Sequence, residues 1–188
     1  MGTSITFKRP DGKETAGYLA NAARGNAPGV VVPYHDTDAA NKQMTSLDFM
    51  DATTQNVRGA AQYLARNGAK VGLTGFCLGG AVTIIGATKI SELTAGVVFY
   101  GIPPEQAAKP ADVRIPLQAH FANKDDWCTP SAVDAFEKAM KDAGKSLEVF
   151  RYDAEHAFVN EQRVAVHDRQ CAELAWGRAT EFFKKHLG

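Results

Sequence analysis

Cysteine, histidine and aspartate are the residue types in this chain whose placement suggests chemistry. Cys77 stands at the centre of Gly75-Phe76-Cys77-Leu78-Gly79-Gly80. Lys70-Val71-Gly72-Leu73-Thr74 before it reads as a strand, and Ala81-Val82-Thr83-Ile84-Ile85-Gly86-Ala87 after it as an apolar helix. Strand, glycine-flanked turn and helix in that order describe a nucleophile elbow, with cysteine where most such elbows carry serine. The glycines leave room for a strained turn that lifts the central side chain above the sheet edge. The unpaired N–H groups and dipole of the helix N-terminus favour thiolate over thiol. The competing reading, a buried structural cysteine beside a helix-packing glycine, does not account for the complete strand–turn–helix context.

A nucleophile at the carboxyl end of one strand needs partners at the carboxyl ends of others. The predicted strand Ile115–Phe121 leads into Ala122-Asn123-Lys124-Asp125-Asp126, and Leu147–Tyr152 leads into Asp153-Ala154-Glu155-His156. His156 would take the Cys77 proton, or hold the thiolate as an ion pair, and later protonate the leaving group. An aspartate, Asp125 or Asp126, would orient the imidazole. His35, His120, His167 and His186 have no comparable context. His167 and Cys171 sit four apart on a predicted helix, a spacing open to a metal pair, but no third ligand accompanies them.

The elements that must position these residues alternate in type. Ser4–Phe7 and Ala16–Leu19 flank Pro10-Asp11-Gly12-Lys13 and read as a hairpin. Gly29-Val30-Val31-Val32 is a short, wholly apolar strand of the buried kind. Tyr34 to Thr45 reads as loop or irregular helix. Leu47 to Asn67 reads as a helix capped by Thr45 or Ser46, with Met50, Thr53, Val57, Ala60, Ala61 and Leu64 on one face and Asn67-Gly68 as its left-handed stop. Strands at Val71–Thr74, Ala95–Tyr100, Ile115–Phe121 and Leu147–Tyr152 follow, with helices at Ala81–Thr88, Ser131–Ala143 and Asp168–His186. Such alternation predicts an α/β fold: one domain over residues 1–188, its mostly parallel sheet flanked by helices.

Composition bounds the function without naming it. The 188 residues are 45% hydrophobic, enough for one substantial core. Twenty-one basic residues balance 21 acidic ones, so no electrostatic case exists for nucleic acid or an anionic membrane. No apolar run is long enough to span a bilayer, and Met1 to Pro10 lacks the apolar core of a signal peptide. Three cysteines without paired spacing argue for a reducing compartment, so the expected location is the cytoplasm. No cofactor and no metal is expected, and the chain is expected to be a monomer or weak homodimer.

Three segments carry a family resemblance. They are Gly-Phe-Cys-Leu-Gly-Gly at 75–80, the His-Phe-(x)3-Asp run from His120 to Asp125 with Trp127 and Pro130 after it, and Glu155-His156-Ala157-Phe158. Together they resemble the dienelactone hydrolase family of the α/β-hydrolase superfamily, across about Leu47 to Leu187. The resemblance implies a Cys-His-Asp triad of Cys77, His156 and Asp125, with Asp126 as the fallback. It implies hydrolysis of small carboxylic esters or lactones through an acyl-enzyme. Leu78 would supply the first oxyanion-hole N–H. Tyr100-Gly101 resembles a site-wall segment, and Phe76, Tyr100 and Trp127 are the candidate substrate contacts.

The chain also departs from the family pattern. Between Val32 and Leu47 about one βα unit, of the order of ~30 residues, is absent. That unit carries the family's glutamate beside the cysteine and its second oxyanion amide. Asn160 stands where the family has a second basic residue, and Arg163 is the nearest arginine. Two alternatives follow: a shortened, catalytically impaired relative with a binding or vestigial role, or a redox-active Cys77 partnered by Cys128.

Overall fold

Alternating side chains on either side of the Asp11-Gly12 turn form an antiparallel hairpin, β1 (Gly2–Lys8) and β2 (Glu14–Ala20). Gly12 takes φ 84°, which the turn requires. A computed structural model describes residues 2–20, 29–31 and 48–188. The expectations for Val32, for the loop from Tyr34 to Thr45, for caps at Thr45 or Ser46 and for the missing βα unit lie outside the described residues.

The next helix, α1 (residues 49–65), is capped by Asp48, whose carboxylate accepts from the amides of Met50 and Asp51. Its middle, Ala52–Val57, is a π-helical stretch between α-helical ends. Thr53 and Thr54 return their hydroxyls to the carbonyls of Phe49 and Met50, each at 2.7 Å, and this competition loosens the i→i−4 ladder. Thr53, Ala60 and Ala61 are buried as predicted, but Met50 is 40% exposed because it lies in the first, capped turn. Gly68, at φ 77°, ends the segment.

Five parallel strands then form one sheet in the order β3 (Gly29–Val31), β4 (Val71–Phe76), β5 (Leu93–Phe99), β6 (Leu117–Lys124) and β7 (Leu147–Glu155). The α-helices that follow β4 are α2 (Leu78–Lys89), α3 (Pro130–Asp142) and α4 (Arg169–Leu187). Ile84, Ile85, Val98, Ala119, Phe121, Val133, Phe136 and Met140 make the core under α2 and α3. Ala95, Val97, Phe99, Tyr152, Phe158, Ala175, Ala179 and Phe182 make the core under α4. Burial on both faces explains why β4 and β5 are nearly continuous apolar runs.

The predicted strand ends need correction. β6 and β7 run on to Lys124 and Glu155, because these two residues still pair across the ladder beyond an irregularity at Ala122/Lys124. β6 also begins two residues late, at Leu117, after Pro116, which has no N–H to give the ladder.

Candidate active site

Strand β4 ends at Phe76 and helix α2 begins at Leu78, so Cys77 alone makes the turn. It takes φ 53° and ψ −117°, outside the regions that L-residues favour. The surroundings hold that strain. The Cys77 amide donates to the Phe99 carbonyl (3.0 Å), and its own carbonyl accepts from Gly80 (2.9 Å) and Ala81 (3.2 Å). A Cβ on Gly75 would lie 2.0 Å from the Gly79 oxygen, so the elbow closes only with glycine there. The thiol is half-buried rather than freely exposed as an elbow of this kind suggests.

The long ladder between β6 and β7 decides the acid–base pair. Lys124 pairs with Glu155, so the residues that follow, Asp125 and His156, emerge side by side although 31 positions apart. Asp125 Oδ2 meets His156 Nδ1 at 2.7 Å. Asp125 Oδ1 accepts from the amides of Trp127 (2.7 Å) and Cys128 (2.9 Å), which fixes the fully buried carboxylate in place. Asp126 is exposed and takes no part.

The His156 ring beside Cys77 lowers the Cys77 pKa from the ordinary thiol value, against the opposing effect of burial. The Leu78 amide acts in the same direction. Burial alone would lower the His156 pKa, yet the bonds to Cys77 and Asp125 outweigh it and the net shift is upward. Both shifts favour a thiolate–imidazolium pair.

Aromatic side chains line the surroundings. Tyr100 is buried with its ring 4.9 Å from that of His156, and Trp127, 76% exposed, lies 6.3 Å from it. Phe76 stacks on Phe99 at 4.7 Å and leans on Trp176. Among the described residues three non-glycines have positive φ: Cys77, Tyr100 (39°) and Ala157 (67°). The first is the elbow residue, the second packs on His156 and the third follows it, so backbone strain concentrates at this one place.

Sequence reasoning missed the order behind the site. His120, wholly buried, lies stacked between Phe99 (4.7 Å) and Phe150 (5.6 Å). Its ring bonds Tyr152 Oη at 2.8 Å and Gln118 Oε1 at 2.9 Å, while Arg178 donates to Tyr152 Oη at 3.1 Å. Burial, reinforced by the Arg178 charge, pushes the His120 pKa down to about 3, so this histidine is a neutral structural one. The polar pair Gln118 and His120 on one face of an apolar strand was the available signal. His167 lies before α4 and bonds the Phe158 carbonyl through Nδ1 (3.0 Å), and no metal-holding group of three or more His, Cys, Asp or Glu side chains occurs among the described residues. Asn160 is exposed and accepts from the Gln162 amide, so it serves its own turn.

A parallel sheet with a strained elbow after β4, an acid after β6 and a histidine after β7 is the arrangement of an α/β-hydrolase fold. The chain belongs to the dienelactone hydrolase family, whose sequence model matches residues 16–187. It is 32% identical over 153 residues to "Protein usf" of Aquifex pyrophilus, covering 80% of this chain and 65% of that one. It is 34% identical over 120 residues to the "Putative carboxymethylenebutenolidase" of Aquifex aeolicus (strain VF5), covering 63% and 52%. The chain thus spans between about half and two thirds of the length of these relatives. In three dimensions it is similar to a dienelactone hydrolase-like promiscuous phosphotriesterase from metagenomic libraries, with a TM-score of 0.81 at 18% identity, covering 100% of this chain and 99% of that one.

Proposed function

We propose that this chain hydrolyses small carboxylic esters or lactones with Cys77 as nucleophile, His156 as general acid and base, and Asp125 as the residue that orients His156. The observation that carries the reading is the 2.7 Å contact of Asp125 with His156 Nδ1, which leaves Nε2 for the Cys77 thiol. The thiolate would attack the acyl carbon, and the carbonyl electron pair would move onto oxygen. The Leu78 amide, which follows Cys77 at the start of α2, would donate to that oxyanion. The C–O bond would then break, with the leaving oxygen taking the His156 proton. Water, deprotonated by His156, would hydrolyse the resulting thioester and return the thiolate.

Membership of the dienelactone hydrolase family, and the carboxymethylenebutenolidase name borne by a relative, support a carboxylic ester or lactone as substrate. The vestigial alternative is disfavoured because a decayed site has no reason to retain the acid–histidine contact. Burial pushes the Cys128 thiol up to about 11, which disfavours it as a thiolate partner in a redox pair. The three cysteines are all free, in keeping with a reducing compartment such as the cytoplasm. Among the described residues no helix is long and apolar enough to cross a membrane.

The direct test is turnover of p-nitrophenyl acetate. Cys77→Ala is expected to abolish it with the fold intact, and Cys77→Ser to retain only weak activity, since a hydroxyl needs a stronger base than this site provides. Undiminished turnover by Cys77→Ala would remove the mechanism.

A further inference from the structure

A tyrosine is buried against the candidate triad with its hydroxyl unused. Tyr100 is 2% exposed, yet its phenol makes no hydrogen bond among the described residues. Buried tyrosine hydroxyls normally find a partner. The oxygen is not sealed in, because the one fully enclosed, unpartnered side-chain polar atom among the described residues is Thr74 Oγ1. What little of Tyr100 is accessible therefore includes its hydroxyl.

The fold goes to some lengths to hold this side chain. Its backbone sits at φ 39°, a strained value for a residue with a bulky side chain, and its amide donates to the His120 carbonyl at 2.8 Å. The next residue, Gly101, is pressed against the elbow so closely that a Cβ there would lie 2.0 Å from the Cys77 oxygen. The ring is wedged between His156 (4.9 Å), Phe158 (5.7 Å) and Phe76 (6.3 Å). Burial, and after it the negative charge of Cys77, raise the phenol pKa well above its ordinary value, so the group remains a protonated donor.

From this geometry, and resting on the hydrolase reading above, we infer that the Tyr100 hydroxyl donates a hydrogen bond to the leaving-group oxygen of the substrate. Sheet order assigns the side. β3 and β5 flank the elbow strand on opposite edges, and Tyr100 follows β5, on the edge toward the strands that carry Asp125 and His156. It therefore shares its side of Cys77 with the imidazole that must protonate the departing oxygen.

A cysteine nucleophile has a particular need for help there. A thiolate is a far better leaving group than an alkoxide, so the tetrahedral adduct of an alkyl ester tends to expel sulfur and return to the ester. Forward collapse breaks the C–O bond and places its electron pair on the leaving oxygen, which takes the His156 proton. Tyr100 contacts that oxygen as charge develops and keeps its own proton throughout.

The test is Tyr100→Phe, assayed by kcat/KM on acetate esters running from p-nitrophenyl through phenyl to trifluoroethyl and ethyl. Circular dichroism and Tm should match the parent, since the lost hydroxyl has no partner. The expected loss is a few-fold for p-nitrophenyl acetate and widens to roughly 30–100-fold for the ethyl ester, the size of one hydrogen bond to a developing anion. A steeper dependence of rate on leaving-group pKa is thus the signature. A loss of equal size across the series marks a structural role and overturns the inference, as does no loss at all. If the parent hydrolyses none of the esters and Cys77 resists alkylation, the hydrolase reading fails and the inference falls with it. A parent that turns over normally beside an unchanged Tyr100→Phe series overturns the tyrosine role alone.

Discussion

The Cys77 amide donates to the Phe99 carbonyl at 3.0 Å, so the elbow is tied to the neighbouring strand at the residue before Tyr100. Through this bond the strained Cys77 and the strained Tyr100 share one support. The support depends on close backbone approach, which glycine permits at Gly75, Gly80 and Gly101.

That dependence can be measured by placing a methyl group at chosen glycines. Gly75→Ala and Gly101→Ala would each put a Cβ 2.0 Å from a backbone oxygen, so each should cost several kcal/mol or prevent folding. Gly177→Ala, at an exposed position of α4 with nothing within 4 Å of the new Cβ, should instead stabilise by roughly 0.5–1 kcal/mol. Urea unfolding of the three variants checks the contrast.

The two adjacent acids should separate cleanly. Asp125→Asn breaks the bond that orients His156 and should lower kcat/KM by on the order of 10²–10⁴-fold. Asp126→Asn, on an exposed residue, should leave the rate within about twofold. Ester hydrolysis by both variants, measured side by side, decides the matter, and a reversed order would assign the acid to Asp126.

The pH dependence follows from the directions of two shifts. A lowered Cys77 pKa means that thiolate persists as pH falls below the ordinary thiol range, until the pH passes the lowered value. A raised His156 pKa means that imidazolium persists as pH rises past the ordinary histidine value, until the pH passes the raised one. Iodoacetamide should therefore alkylate Cys77 at neutral pH much faster than it does Cys128, whose thiol burial pushes up to about 11. Asp125→Asn should move the imidazolium limb to lower pH, because it removes a hydrogen bond and a charge that raise it. Alkylation rates across pH, with the modified residue located by mass spectrometry, test both statements.

His120 should matter for stability and not for the pH profile. His120→Leu leaves Gln118 Oε1 without its partner and removes one of the two bonds at Tyr152 Oη, at a cost of roughly 2–4 kcal/mol. With its pKa pushed down to about 3, the native residue does not titrate where esters are assayed, so the residual activity should keep the parent's pH limbs. Denaturant melts and a rate–pH series on the same sample would show it.

Much of this protein was legible from residue order because its signals are local. Glycines around Cys77, apolar runs of strand length and the breaks between them depend on a few neighbouring residues, so the elbow, the five strands and the helices after them could be read directly. His156 and an aspartate near 125 were placed by one general rule, that partners gather at the carboxyl ends of parallel strands. The choice of Asp125 over Asp126 needed either a family pattern or the register in which Lys124 pairs with Glu155. Register is a long-range property: it is set by how two strands 30 residues apart pair and pack between α3 and α4, so the residues beside Asp125 do not fix it by themselves. The same holds for His120, whose neutral, stacked role exists because Phe99, Phe150, Tyr152 and Arg178 converge on it from two neighbouring strands and a helix. Tyr100 shows the division most clearly. Its position at a strand end was readable, but its strain, its burial against His156 and its unpartnered hydroxyl arise only when separate elements close around it.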